Sequence, residues 1–300
     1  MLKIAWSPVY CHPLPANHRF PMEKYNLLPQ QLRYEGLAGD ANFFEPEPLT
    51  EALILRTHDP VYWQKLNMLS LDRQEERRTG FPLSRKLIER EIIIARGTLD
   101  CTRYALEYGV SFNIAGGTHH AFADRGEGFC LLNDIAIAAN YLLDEGLARQ
   151  ILVVDLDVHQ GNGTASLFAR EPRVYTFSMH GARNYPMYKE QSDRDVPLPD
   201  GTTDATYLAL LSEHLDELME VVNPDFVFYQ SGVDVLATDK LGKLGLSLQG
   251  SRDRDHMVFD ACRRKGIPVT VVMGGGYSQQ ISHIVEAHAN TYRIAAELFF

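Results

Sequence analysis

Clustered basic charge, paired cysteines, long apolar runs and low-complexity linkers are all missing from this 300-residue chain. Each absence argues against a class of protein. Lys plus Arg number 29 against 39 Asp plus Glu, a net charge of −10, which argues against the clustered positive surface that nucleic acid needs. The densest basic stretch, Arg73 to Arg78, is diluted by Glu75 and Glu76 and reads as a solvated helix or loop face. The 4 cysteines (Cys11, Cys101, Cys130, Cys262) form no CxxC pair. That speaks against a thiolate zinc site or a thioredoxin-type motif, and reduced intracellular thiols are expected. No run approaches the roughly 18 apolar residues of a membrane span. The opening MLKIAWSPVYCHP is too short an apolar stretch for a signal peptide. We expect a soluble, cytoplasmic protein with neither nucleic acid nor membrane as partner.

What is present is the composition of an ordinary globular protein, 45% apolar and 23% charged. Its length suits one large α/β domain or two ordinary ones. Short apolar runs recur, each followed by a Gly-rich or polar loop and then a helical pattern. The runs are Lys3–Trp6, Val110–Ala115, Ile151–Asp155, Arg173–Ser178, Asp225–Gln230 and Pro268–Met273. Several lack polar alternation, as parallel strands covered on both faces do. Helical patterns cover Ser84–Tyr108, Asn133–Asp144, Asp204–Val221, Ser251–Arg264 and Gln279–Phe299, with Asn133 or Asp134 as a cap. This predicts one α/β domain over residues 1–300: an open, mostly parallel sheet with helices on both faces. Residues 19–80 hold Pro21, Pro29, Pro46 and Pro48 and read as helices and loops over a sheet edge or a site mouth.

Ligands of open α/β sheets bind beyond the carboxyl ends of the strands, and four strand ends here carry chemistry. They lead into Gly116-Gly117-Thr118-His119-His120, into Asp155-Leu156-Asp157-Val158-His159, into Ser231-Gly232-Val233-Asp234 and into Gly274-Gly275-Gly276-Tyr277. In extended chain Asp155, Asp157 and His159 share one face. Charged groups at a buried strand end are costly unless they pair or bind a cation. Asp157 and His159 with Asp234 make a carboxylate–imidazole–carboxylate set, which leaves a catalytic metal an open position. Such donors suit zinc and also Fe2+, Mn or Co. The competing reading is a hydrogen-bonded set without metal. His119 and His120 reach one site only through an irregular loop, which Gly116-Gly117 permits, and imidazole handles the protons of an activated water near neutral pH. A phenol at Tyr277 would stabilise a developing oxyanion, or is simply a core tyrosine behind a turn. Gly161-x-Gly163 lacks the dinucleotide fingerprint and reads as a turn before a helix near Thr164–Ala169.

These motifs, in this order, resemble the zinc-dependent histone deacetylase superfamily, which shares the arginase-like fold. The matching stretches are GGTHHAFADRGEGFCLLNDIAIAA, ILVVDLDVHQGNGTA, YQSGVDVLATDKLGKLGLS and GGGY, and VHQGNG with DKLGKLGLS is most like the class IV branch. The resemblance implies zinc held by Asp157, His159 and Asp234. It makes His120 the general base and then acid, His119 its electrostatic partner oriented by Asp155, and Tyr277 the carbonyl-polarising donor. Asn162 stands where the class I pattern has a carboxylate orienting His120. Gly128 and Phe129 match one wall of an acyl-lysine tunnel and Tyr185 the other. A structural K+ or Na+ is implied at the backbone of Asp155, Asp157 and His159, with Ser178 and Met179. The implied reaction is hydrolysis of Nε-acyl-lysine in a protein or peptide, with acetyl or long-chain acyl groups. Alternatives are a small acylated amine such as an acetylpolyamine, and a catalytically silent acyl-lysine-binding protein. A dinuclear manganese ureohydrolase shares the fold, but Gln160 and Asn162 stand where a second metal wants charge.

Overall fold

A computed structural model describes all 300 residues. The strands are β1 (Lys3–Ala5), β2 (Phe43–Phe44), β3 (Val110–Asn113), β4 (Ile151–Asp155), β5 (Val174–Gly181), β6 (Arg194–Leu198), β7 (Phe226–Gln230) and β8 (Val269–Val272). They form one sheet in the order β2-β1-β3-β8-β7-β4-β5-β6, and every pairing is parallel. Ten helices accompany them. Early in the chain come α1 (Lys24–Tyr34), α2 (Glu51–Ile54), α3 (Pro60–Asn67), α4 (Arg73–Thr79) and α5 (Arg85–Tyr108). Later come α6 (Asp134–Asp144), α7 (Asn162–Phe168), α8 (Asp204–Val221), α9 (Leu248–Lys265) and α10 (Ile281–Phe299).

Strand β3 shows how both faces are covered. Asn113 donates from Nδ2 to the Ile94 carbonyl (2.9 Å) and to Thr98 Oγ1 (2.8 Å), both on α5. Its neighbour Phe112 points the other way, against Tyr292 of α10 (ring centroids 4.2 Å apart) and Phe259 of α9. The alternation expected of a strand therefore sends one face to α5 and the other to α9 and α10. All residues of β3, β4, β7 and β8 are buried, which explains the near-continuous apolar runs.

The sheet order positions the site. Strands β3, β8, β7 and β4 are consecutive neighbours at its centre, so their carboxyl ends lie within roughly 15 Å at about 4.8 Å per step. These are the four strands whose ends carry the histidine pair, the Gly-rich tyrosine turn, Asp234 and the Asp155–His159 segment. Helix α4 is aimed by its start. Asp72 accepts from the N–H groups of Gln74 and Glu75 while Glu75 accepts from Asp72 N–H, a reciprocal cap. Its last turn then ends beside the Gly128–Phe129 loop, where the Arg78 and Thr79 carbonyls accept from Gly128 N–H (3.0 Å) and Phe129 N–H (2.7 Å).

Candidate active site

Beyond β4 the backbone leaves the extended form that alternation predicts. Asp155 Oδ1 accepts from Asp157 N–H (3.1 Å), and Asp157 Oδ1 accepts from His159 N–H (3.0 Å). These two short-range bonds curl the segment and separate the three side chains. Asp155 turns to the histidine loop, whereas Asp157 and His159 turn to Asp234. The ligand atoms of Asp157, His159 and Asp234 all lie within 4.8 Å of one another, and all three residues are buried. His159 Nδ1 faces Asp157 Oδ1 at 3.0 Å and Asp234 Oδ2 at 3.1 Å.

Two buried carboxylates around one imidazole demand positive charge. Burial works against a charge on His159, yet its bonds to Asp157 and Asp234 outweigh that and carry its pKa up to about 10. Burial and the neighbouring charge of Asp157 raise Asp234 to about 7. The two carboxylates favour a positive charge among them, and the N/O donors of the set fit a divalent ion.

The Gly-rich turn after β8 closes over this set. Gly275 N–H donates to Asp157 Oδ2 (2.6 Å), and a side chain on Gly275 would overlap the Asp234 carboxylate. Gly117, at φ +74°, passes so near that a Cβ would lie 2.8 Å from Gly274 N.

His119 and His120 lie with ring centroids 4.0 Å apart and planes tilted at 44°, and they have different partners. His119 Nδ1 donates to Asp155 Oδ2 (2.7 Å). Burial opposes its charge, but Asp155 outweighs burial and raises its pKa. His120 Nδ1 donates to Asn162 Oδ1 (2.7 Å), so the neutral ring keeps a free lone pair on Nε2. Burial, then repulsion from His119 and His159, holds its pKa well below the usual value. Its ring lies 6.0 Å from that of His159. The Tyr277 ring is 6.4 Å from that of His159. Burial and the charges of Asp234 and Asp157 keep the Tyr277 phenol protonated, with its pKa well above the usual value.

The structure brings Gly128, Phe129 and Tyr185 around the same opening. Gly128 lies against His120, where a Cβ would come 2.6 Å from Cδ2. Tyr185 sets its ring edge-on to His120 (centroids 4.9 Å) and donates from Oη to Glu127 Oε2 (2.8 Å). Ser178 pairs with Asp155 in the β4–β5 register, with Met179 next along β5. Gly161-x-Gly163 is a close-approach device: a Cβ on Gly161 would strike Asp155 and one on Gly163 the Ala121 carbonyl. Helix α7 begins at Asn162, two residues earlier than the sequence suggests.

Two buried residues have parts that the sequence reading did not assign. Asp134 accepts from Gly117 N–H (3.1 Å), Thr118 N–H (2.8 Å), Thr118 Oγ1 (2.6 Å) and Thr98 Oγ1 (2.6 Å), anchoring the histidine loop. The cap of α6 is Asn133, whose side chain accepts from Ala136 N–H (2.9 Å). An aspartate heading the apolar run IAIAA was the available signal. Lys24 is fully buried, with Nζ donating to the Gly274 carbonyl (3.2 Å), and burial lowers its pKa to about 8. Nothing local in PMEKYN marks it.

Fold and site together define a class: an open parallel α/β sheet whose central strand ends carry a buried Asp–His–Asp set beside paired histidines and a tyrosine. The model of the histone deacetylase domain matches residues 18–292. The chain belongs to the histone deacetylase family and is, with that family, an amide hydrolase. It is 41% identical over 296 residues to an uncharacterised protein of Picosynechococcus, covering 99% of each chain. It is 30% identical over 282 residues to histone deacetylase 2 of Arabidopsis thaliana, covering 89% of this chain and 72% of that one. The crystal structure of an HDAC homologue complexed with SAHA matches with TM-score 0.84 at 25% identity, covering 99% of this chain and 84% of that one. An HDAC homologue from Aquifex aeolicus matches with TM-score 0.83 at 25% identity, covering 97% and 82%.

Proposed function

We propose that this protein hydrolyses the Nε-acyl amide of lysine in peptides, with Asp157, His159 and Asp234 holding a divalent cation. The observation that carries the reading is the gathering of His120 and Tyr277 around His159 in one pocket, with ring centroids 6.0 and 6.4 Å from it. A cation in that set, zinc or else Fe2+ or another divalent ion, supplies a Lewis acid for the acyl carbonyl and an acidified water.

The chain's own residues do the rest. His120, neutral and fixed by Asn162, accepts the water proton at Nε2. The water oxygen adds to the carbonyl carbon, and the Tyr277 hydroxyl donates a hydrogen bond to the oxygen that gains charge. His119, held by Asp155, places a polarised imidazole beside the transferred charge. His120 then gives its proton to the departing nitrogen as the C–N bond breaks, leaving a lysine amine and a carboxylate. Gly128, Phe129 and Tyr185 guide the acyl-lysine stem. The carbonyls of Asp155, Asp157 and His159, with Ser178 and Met179, form the seat of a K+ or Na+; the adjacency of Asp155 and Ser178 across β4 and β5 supports this. A neutral Asn162, together with DKLGKLGLS, favours the class IV branch.

The test is turnover of matched acetyl- and myristoyl-lysine peptides, with and without chelator. Chelator-sensitive release of either acyl group supports the reading, and the kcat/KM ratio sets the chain-length preference. Stoichiometric zinc with no release from either peptide overturns it.

A further inference from the structure

The mouth of the site runs against the charge of the chain. Above His120 and His159 opens a cleft of about 530 Å3, bordered by Phe129, Tyr185 and Tyr277. Five cations line it, Arg19, Arg77, Arg78, Arg183 and Lys243, and no carboxylate does. Acids nevertheless outnumber bases 39 to 29 over the whole sequence. The stretch Arg73–Arg78, read from sequence as a solvated face, delivers two of the five.

These cations stand on both walls. On the Phe129 side, Arg19 lies with its guanidinium 4.9 Å from the Phe129 ring centre, and Arg77 and Arg78 end α4, whose carbonyls hold the Gly128–Phe129 backbone. On the Tyr185 side are Arg183 and Lys243, tied together by Lys243 Nζ on the Arg183 carbonyl (2.9 Å). Arg183 is paired with Asp200 at 2.6 Å, while the other four have no carboxylate within 4.0 Å. Nearby acids are already engaged. Glu127 takes Arg125 (2.8 Å) and Tyr185 Oη (2.8 Å). Asp239 takes the N–H groups of Tyr277, Leu241 and Gly242. Arg77 and Arg78 also complement the C-terminal carbonyls of α4, but Arg19 and Lys243 end no helix.

Unpaired like charges around a cleft repel one another and focus positive potential into it, which attracts and orients an incoming anion. We infer that the natural substrate is an acidic peptide segment, with Asp or Glu on both sides of the acylated lysine. The inference rests on the deacylase reading and narrows its substrate class. A small acylated amine with one carboxylate would use one wall; cations on two walls fit a strand of chain lying across the mouth.

Three acetyl-lysine peptides, flanked by Glu, by Gln or by Lys, test this at about 0.05 M and about 0.5 M salt, across which exposed charges become screened. The Glu peptide should exceed the Gln peptide about tenfold in kcat/KM at low salt, the worth of two or three exposed ion pairs, and the Lys peptide should fall below both. The gain should lie in KM and shrink at high salt. In the double variant Arg77→Glu with Arg78→Glu, the order of Glu and Lys peptides should approach parity or reverse. Equal kcat/KM for Glu and Gln peptides, a preference that salt and the double variant leave intact, or better turnover of free Nε-acetyl-lysine would each overturn the inference. Turnover of the Gln peptide reports separately on the deacylase reading: if no peptide is cleaved, that reading fails and the acidic-substrate inference falls with it.

Discussion

A neutral amide beside His120 has a different consequence from a carboxylate in the same place. Asn162 Oδ1 fixes the Nδ1–H tautomer at 2.7 Å but brings no charge to stabilise a protonated ring, and burial with two neighbouring imidazoles depresses its pKa. A base works only when deprotonated, so kcat/KM falls as pH drops through that pKa, and the acidic limb belongs below 6.5. Asn162→Asp places a carboxylate on the same nitrogen and raises the pKa. The limb of the pH profile should then move up by about 1 unit or more; an unmoved limb would show that His120 is not the base. His120→Ala should lower kcat/KM by roughly 1,000-fold while metal content, which the proposed ligands Asp157, His159 and Asp234 would set, stays that of the parent by elemental analysis. At this scale the residues that the structure gathers were legible wherever a polar side chain follows a strand. Asp134 and Lys24 escaped because their partners, backbone groups and threonine hydroxyls, lie far away in sequence and leave no local pattern.

Among the elements, strands with β-branched cores were readable, and three bounds shifted where apolar residues continue past the ladder, as at Ile114–Ala115 and Met273. The exceptions have physical reasons. Strand β6 reads RDVPL, with Pro197 and two charged residues, and is tolerated as a strand because it is the sheet's edge. Strand β2 has two residues and no pattern at all. The order β3-β8-β7-β4, which brings the motifs together, depends on packing that periodicity does not encode. One inter-element joint carries a stability prediction. His58, between α2 and α3, donates from Nδ1 to the Phe122 carbonyl (2.9 Å) and accepts at Nε2 from Asn133 N–H (3.0 Å), the cap residue of α6. Protonation destroys that acceptor, and burial lowers its pKa from 6.5 to about 4. Unfolded chains therefore bind the proton first as pH falls. The contribution of this joint is intact above 6.5, declines between about 6.5 and 4, and amounts to about 3 kcal/mol over that window. Urea unfolding of the parent and His58→Gln at several pH values should show a steeper loss in the parent across it; parallel curves would refute the linkage.

For the molecule as a whole, the Asp157–His159–Asp234 set is a conflict that the fold maintains. Strands β4 and β7 are neighbours in register, Asp155 opposite Gln230, so the segments just beyond them bring Asp157 and Asp234 together, both buried beneath the Gly-rich turn. At neutral pH the set holds a protonated His159 and an ionised Asp157 beside an Asp234 that is only part-ionised, its pKa being about 7. A cation that binds only the folded chain stabilises it by mass action, about 2.7 kcal/mol at a hundredfold excess over Kd. Zinc should accordingly raise the Tm of chelator-treated protein by about 5 °C or more. Asp234→Asn separates this binding from simple packing, because the amide keeps the shape and its oxygen still accepts from Val158 N–H, now 3.0 Å from Asp234 Oδ1. Relief of repulsion should leave the variant's metal-free Tm equal to or above that of the metal-free parent, and zinc should no longer raise it. If the variant instead melts well below the parent without metal, the carboxylate supports the fold rather than a cation. If zinc shifts both proteins alike, the ion binds elsewhere.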